Sequence, residues 1–233
     1  MLSNGEIKLI RSLREKKFRD SNGLFVVEGE KMVAEALASG FIVETVVRKS
    51  EVGEDVMSRL SSLSTPPPVL AVVRMPSPQP PGEPHGLCLA LDSVRDPGNL
   101  GTIMRISDWF GIDALYASPD TVEAFNPKVI QASMGTVFRK RVVYCDLPAL
   151  CRSFRAAGLR VFGTFLEGVN IYSASLSAEG LVVMGNEASG ISGAVAAEVS
   201  DRITIPSFAR GACAESLNVA VAAAVTVSEF KRR

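Results

Sequence analysis

Short apolar runs alternating with segments of helical spacing set the pattern of this chain. Leu24-Phe25-Val26-Val27, Ile42 to Val47 and Val69 to Val73 read as strands. Between them, Glu28-Gly29-Glu30 opens a helix through about Ser39, stopped by Gly40, and residues 52–63 read as a second helix. The resulting βαβαβ pattern, preceded by a helical segment over residues 6–19, predicts a small α/β domain. Met75 to Gly86 then carries five prolines (Pro76, Pro78, Pro80, Pro81 and Pro84) and nothing that could form a core, which marks a semi-rigid linker.

Beyond the linker, Leu87-Cys88-Leu89-Ala90-Leu91 is a buried strand. Further strands are predicted at 114–116, 141–144, 160–164, 181–184 and 202–205, with helices at 99–110, 127–134, 147–157, 191–199 and 216–231. Near-continuous apolar strands alternating with helices point to a parallel sheet covered on both faces. The expected organisation is therefore residues 1–75 as one domain, 76–86 as linker and 87–233 as a second. A Rossmann fold is disfavoured. The first strand of the second domain runs into Asp92-Ser93-Val94-Arg95-Asp96-Pro97-Gly98-Asn99-Leu100-Gly101, which lacks the G-x-G-x-x-G spacing, and Gly185, Gly190 and Gly193 do not supply it.

Composition narrows the class only modestly. With 233 residues, 47% hydrophobic and 21% charged, the chain has an ordinary globular balance. No run approaches the roughly 18 apolar residues of a membrane span, and no signal-peptide pattern opens the sequence, so a cytoplasmic location is expected. The four cysteines (Cys88, Cys145, Cys151 and Cys213) form no C-x-x-C pair. Reduced thiols are expected, without a metal.

Charge matters through its distribution, because the net charge is zero. Residues 6–19 hold Lys8, Arg11, Arg14, Lys16, Lys17 and Arg19 against Glu6 and Glu15, a local net charge of +4. Two readings fit: a phosphate-binding surface or a solvated helix face. Arg139-Lys140-Arg141 and Lys231-Arg232-Arg233 form smaller clusters, the latter also suited to the end of a helix.

Two stretches carry candidate chemistry. The first runs from Asp96-Pro97 through Asn99, Gly101 and Arg105 to Phe110-Gly111. Asn99 is placed to cap a helix there and Gly111 to end it. Gly101 lies one turn before Arg105, which would leave the guanidinium open to approach, while an ion pair between Arg105 and Asp108 is the blander alternative. The second stretch starts at strand Leu181-Val182-Val183-Met184, which runs into Gly185-Asn186-Glu187. It continues through Ile203-Thr204-Ile205-Pro206 and a loop to Ser216, a candidate cap for the apolar helix that follows. A glycine at a strand end allows close backbone approach to a ligand, and strand ends of open α/β sheets are where ligands bind.

Read together, N-x-G-x-x-x-R, G-N-E-x-x-G and I-P…S-L-N-V before an Ala/Val-rich helix resemble the three ordered motifs of the SpoU family, RNA ribose 2′-O-methyltransferases of the SPOUT class. The resemblance covers the second domain, and the first looks like the RNA substrate-binding module often found ahead of it. It implies an α/β fold in which a C-terminal parallel sheet carries a deep trefoil knot, with a small α/β substrate-binding domain preceding it. It also implies S-adenosylmethionine as cofactor, contacted by Thr164, Met184, Gly185, Ile205, Ser207 and Leu217. A homodimer through the C-terminal helix is implied as well, and residues 219–225 are apolar all round, as a helix buried on more than one side would be.

By the same resemblance Arg105 is the catalytic residue, with Asn99 positioning it or the ribose, Glu187 organising the loop around Gly185, and Ser216 and Asn218 completing the pocket. The only histidine, His85, lies in the linker, so the usual general base is absent. A guanidinium with a pKa above about 12 is a poor base, so Arg105 is expected to bind the phosphate beside the target ribose and polarise the 2′-hydroxyl. RNA contacts are expected from the basic segment, Arg139 and Arg210. The chain departs from the family in the loop Ser207 to Glu215, which has nine residues, is longer than usual and begins with serine instead of methionine. That weakens Ser207 as a cofactor contact. The two-domain layout favours ribosomal over transfer RNA as substrate. A knotted RNA-binding or ribosome-assembly factor without methyl transfer is the alternative from another class.

Overall fold

A computed structural model describes residues 2–211 and 214–232. Cys213 and Arg233, both singled out from the sequence, lie outside the described residues. In chain order the elements before the linker are α1 (Asn4–Ser12), α2 (Lys16–Asn22), β1 (Leu24–Glu28), α3 (Glu30–Ala38), β2 (Val43–Arg48), α4 (Lys49–Val52), α5 (Glu54–Leu60) and β3 (Val69–Arg74). After it come β4 (Leu87–Leu91), α6 (Pro97–Trp109), β5 (Leu115–Ala117), α7 (Pro127–Ser133), β6 (Val142–Tyr144), α8 (Leu147–Ala156), β7 (Val161–Asn170), β8 (Gly180–Met184), α9 (Gly193–Ala196), β9 (Asp201–Thr204) and α10 (Val219–Arg232). The chain forms two compact units, Met1–Pro78 with Glu123–Arg139, and Gln79–Val122 with Lys140–Arg233.

In the first unit β3 lies between β1 and β2 and pairs antiparallel with both, Val26 opposite Val72 and Val47 opposite Leu70. Ile7, Ile10, Leu13, Met57 and Leu60 from the helices pack with Leu70 and Val72. The basic segment is two helices rather than one, α1 closing at Ser12 and α2 opening at Lys16. Ser3 and Glu6 form a reciprocal capping box at the start of α1. The helix expected over 52–63 is likewise divided, because Gly53 takes φ +87°, a value no helix contains. Residues 123–139 pack in this unit. The Phe125 and Phe138 rings lie 4.6 and 6.3 Å from Phe25, and Phe41 meets both.

The second unit holds a six-stranded parallel sheet in the order β6-β5-β4-β8-β7-β9. Every residue of β4 and β8 is buried, as their unbroken apolar runs require. One face carries Cys88, Ala90, Val161, Leu181 and Val183 against Leu147, Leu150, Cys151 and Phe154 of α8 and Val195 of α9. From the opposite face Phe162 meets Phe230 of α10 edge-on at 4.9 Å, and α10 packs against α6. Strand β7 runs six residues past its expected end. It pairs with β9 at Thr164, leaves, and rejoins it at Val169 and Asn170. Gly168 is required there, since a Cβ would stand 2.8 Å from the Arg202 carbonyl oxygen. Cys88, Cys145 and Cys151 are free thiols, and burial pushes their pKa values up to about 11, 11 and 12. No helix among the described residues is long and apolar enough to cross a membrane.

The chain order reverses at β4, whose neighbours are β5 on one side and β8 on the other. Outside the carboxyl ends of such strands an open parallel sheet forms a crevice. Asp92, Gly185 and Ile205 follow β4, β8 and β9 directly.

Candidate active site

The site is built on the loop that leaves β8. At Gly185 an added Cβ would stand 2.3 Å from the Gly190 carbonyl carbon and 2.4 Å from the Ile191 nitrogen. The glycine is therefore demanded by the chain's own backbone. The loop closes on itself: Asn186 N–H donates to the Gly190 carbonyl at 2.9 Å, and Gly190 N–H to the Asn186 carbonyl at 3.0 Å. The Asn186 Oδ1 also accepts from the N–H groups of Ala188 and Ser189.

Two residues at the end of β4 fasten this loop. Asn186 Nδ2 donates to the Ser93 carbonyl at 2.6 Å. Asp92, 3% exposed, donates its N–H to the Met184 carbonyl and accepts from Ser192 N–H at 2.7 Å. Asp92, Ser93 and Asn186 hold positions that local pattern does not assign. An acidic residue directly after a fully apolar strand was the available signal, since a buried carboxylate must find donors.

Helix α6 supplies the next piece. Asp96, not Asn99, caps it, accepting from Asn99 N–H at 2.8 Å, and Pro97 fills the first turn. The Asn99 side chain is thereby released to bridge. Its Nδ2 donates to Glu187 Oε1 at 2.8 Å, and its Oδ1 accepts from Asn218 Nδ2 at 2.9 Å. Asn218 in turn caps α10, accepting from Ala220 N–H at 2.9 Å and Val221 N–H at 3.3 Å. The amide orientations are mutually required. A carboxylate only accepts, so Asn99 must present its NH2 to Glu187; the α10 amides only donate, so Asn218 must present its oxygen to them. Ser216, the expected cap, is exposed two residues outside that role.

Asn99, Glu187 and Asn218 are thus joined, although 88 and 119 residues separate Asn99 from the other two. Arg105 stands apart, roughly 9 Å further along the axis of α6. It is exposed and makes no hydrogen bond or ion pair among the described residues, so the ion pair with Asp108 is not formed. Asn99 gives its amide to Glu187 and Asn218, and among the described residues no hydrogen bond joins it to Arg105. Gly101, one turn before Arg105, is buried.

Of the residues expected to hold a cofactor, Thr164 lies in β7, Met184 ends β8, and Gly185 and Ile205 follow β8 and β9. Thr164 Oγ1 donates to the Val183 carbonyl at 3.0 Å and lies 3.7 Å from Met184 Sδ, joining β7 to β8. Met184 is buried, and Thr164, Gly185 and Ile205 are half-buried. Ser207 and Leu217 are exposed, with half of Leu217 accessible. Leu166 of β7 is 76% exposed.

The basic residues divide. Lys8, Arg11, Lys16 and Lys17 are exposed, with Lys16 paired to Asp20 at 2.5 Å. Arg14 donates to the carbonyls of Arg59, Leu60 and Ser61 at the end of α5. Arg139 pairs with Glu35 at 2.5 Å, and Arg210 is exposed. Arg19 corrects the expectation. It is 2% exposed, donates to the Leu13 and Arg14 carbonyls at 2.7 Å, and is paired with Glu123. Desolvation holds its pKa below the ordinary guanidinium value. Such a group is structural and has no path to a phosphate.

Comparison with known proteins gives this geometry a family. The SpoU rRNA Methylase family matches residues 86–228, and the MRM3-like substrate binding domain matches residues 4–53. The chain is 33% identical to the 23S rRNA (guanosine(2553)-2′-O)-methyltransferase RlmP of Bacillus subtilis, over 98% of this chain and 96% of that protein. A TrmH-family structure from Porphyromonas gingivalis superposes with a TM-score of 0.90 at 40% identity, covering 100% of this chain and 99% of its own. An AdoMet-bound rRNA methyltransferase from Sinorhizobium meliloti superposes with a TM-score of 0.86 at 32% identity, covering 100% and 96%. Parallel sheet, strand-end site and the three linked motifs lead to one assignment: the chain belongs to the SpoU rRNA methylase family.

Proposed function

We propose that the protein transfers a methyl group from S-adenosylmethionine to a ribose 2′-hydroxyl of ribosomal RNA. The observation that carries this reading is the Glu187–Asn99–Asn218 hydrogen-bond chain, which draws three distant segments together outside the carboxyl ends of β4 and β8 while leaving Arg105 exposed. The Bacillus subtilis relative is named for the same reaction, and the Sinorhizobium meliloti structure holds the same cofactor. When bound, the cofactor supplies an activated methyl on a sulfonium.

The chain's own residues handle the nucleophile. The Arg105 guanidinium pairs with the phosphate beside the target ribose and donates to the 2′-oxygen, stabilising negative charge as the oxygen–carbon bond forms and the sulfur–carbon bond breaks. A guanidinium is a poor base, and the hydroxyl proton leaves to water. Asn99 and Glu187 hold α6 against the Gly185 loop, so that hydroxyl and methyl meet in line. Thr164, Met184, Gly185, Ile205 and Leu217 form the cofactor side, with Ser207 at its rim, and Ser216 faces the pocket.

Four further features complete the reading. The excursion of β7 between Thr164 and Val169 is the loop through which a trefoil knot is threaded. A homodimer forms through α10, whose exposed Val221 supplies apolar contact. The unit containing α1 and α2 grips RNA through Lys8, Arg11, Lys16 and Lys17, aided by Arg139 and Arg210. Free thiols at Cys88, Cys145 and Cys151 suit a cytoplasmic enzyme.

The test is transfer of labelled methyl to unmodified ribosomal and transfer RNA, assayed separately. Label in ribosomal RNA at one linkage resistant to alkali supports the reading. Label confined to transfer RNA overturns the substrate, and label in neither overturns the enzyme.

A further inference from the structure

Large apolar side chains left in water call for an explanation when they gather. Beyond β7 and β9 two aromatic rings do so. Phe208 is 79% exposed and Tyr172 42% exposed, yet the rings stack with centroids 6.3 Å apart and planes inclined by 29°. Their positions are built. Tyr172 follows β7 by two residues, its N–H held by the Asn170 Oδ1 at 3.0 Å. Phe208 follows β9 by four residues, in a turn where Ala209 N–H donates to Ser207 Oγ. Asn170 is in register with Thr204, and Ile171 N–H donates to the Thr204 carbonyl at 2.9 Å, so both rings leave the same end of neighbouring strands. That end also carries Gly185 and Ile205. Arg210, two residues beyond Phe208, is exposed and adds positive charge.

We propose that the Tyr172–Phe208 pair is a stacking platform for an unpaired nucleobase of the RNA substrate, with Arg210 taking the adjoining phosphate. The inference rests on the reading of the chain as an RNA methyltransferase and adds a residue set that selects how the target strand is presented. RNA recognised by sequence is mostly single-stranded, and its splayed bases are held by stacking on aromatic faces. Exposed π-faces beside a cation suit that ligand, and a platform read by stacking accepts any base.

The test compares Phe208→Leu, Tyr172→Leu and Phe208→Tyr by binding of unmodified ribosomal RNA transcripts, cofactor affinity by calorimetry, and sedimentation. Stacking of one base predicts that Phe208→Leu and Tyr172→Leu weaken RNA binding roughly tenfold or more. Phe208→Tyr retains wild-type binding, and all three keep cofactor affinity and oligomeric state. Unchanged RNA affinity overturns the platform. Parallel loss of cofactor affinity places the rings on the cofactor instead, and dissociation to monomers places them against a second copy. Wild-type protein that methylates no RNA fails the functional reading itself, and the platform with it.

Discussion

Asn218 hands its amide to Asn99 across 119 residues of sequence, Nδ2 to Oδ1 at 2.9 Å, while its own carbonyl oxygen caps α10. One side chain thus both starts the C-terminal helix and fixes the helix that bears Arg105. The two roles separate by substitution. Asn218→Ala removes both and should lower stability by about 1 kcal/mol for the cap alone, a fall of roughly 2–4 °C in Tm. Asn218→Asp keeps an acceptor for the helix N–H groups but has no donor for Asn99. Its Tm should stay near wild type while kcat falls. Thermal melts paired with turnover numbers read the difference, and equal kcat in Asn218→Asp and wild type would remove the link from the mechanism.

Gly185 and Gly190 lie close together and should respond differently. A Cβ on Gly185 meets backbone at 2.3 Å, whereas one on Gly190 meets nothing within 4 Å. Gly190→Ala carries only the strain of its φ of +69°, on the order of 1–2 kcal/mol. Gly185→Ala must displace the loop itself. Calorimetry should show cofactor binding lost in Gly185→Ala and largely kept in Gly190→Ala.

Arg19 offers a test of burial against charge. Arg19→Ala leaves Glu123, 16% exposed, without its partner, and should destabilise by about 3–5 kcal/mol. The double change Arg19→Met with Glu123→Gln removes both charges and should recover much of that loss. RNA affinity of the double variant should equal wild type in filter binding, because the guanidinium does not reach the surface.

The sheet edge carries a pH signature. Hydrogen bonding from the Arg160 guanidinium holds the Asp201 carboxyl below its ordinary 3.8, and Arg160 is raised in turn. A carboxylate with a depressed folded-state pKa contributes stability above its unfolded value, and that contribution is lost as pH falls through the folded one. Denaturant midpoints of wild type should therefore drop below about pH 4. Asp201→Asn should be less stable at neutral pH and show a shallower drop over the same window.

How far these features can be read from the chain depends on whether their causes are local. Leu87 to Leu91 and Leu181 to Met184 announce buried parallel strands because every residue is apolar, and both are buried throughout. The three motif segments are legible through their resemblance to the SpoU family, which points to Asn99, Glu187 and Asn218. The details that escaped depend on distant partners. Asp96 takes the cap assigned to Asn99, and Asn218 the one assigned to Ser216, because Asn99 and Asn218 meet each other. Arg19 reads as one more cation in a basic run until Glu123, 104 residues away, is seen beside it. Residues 123–139 follow a linear domain boundary in sequence but join the first unit through Phe125 and Phe138, a contact that periodicity does not encode.

The measurement closest to the central claim is single-turnover methyl transfer to ribosomal RNA by wild type and Arg105→Ala, with cofactor affinity measured on the same samples. Arg105 is exposed and unpaired among the described residues, so its removal should leave fold and cofactor affinity intact. The account predicts a methyl-transfer rate at least a hundredfold lower, on the order of the loss of one charge-stabilising donor. Full turnover by Arg105→Ala with cofactor still bound would contradict it.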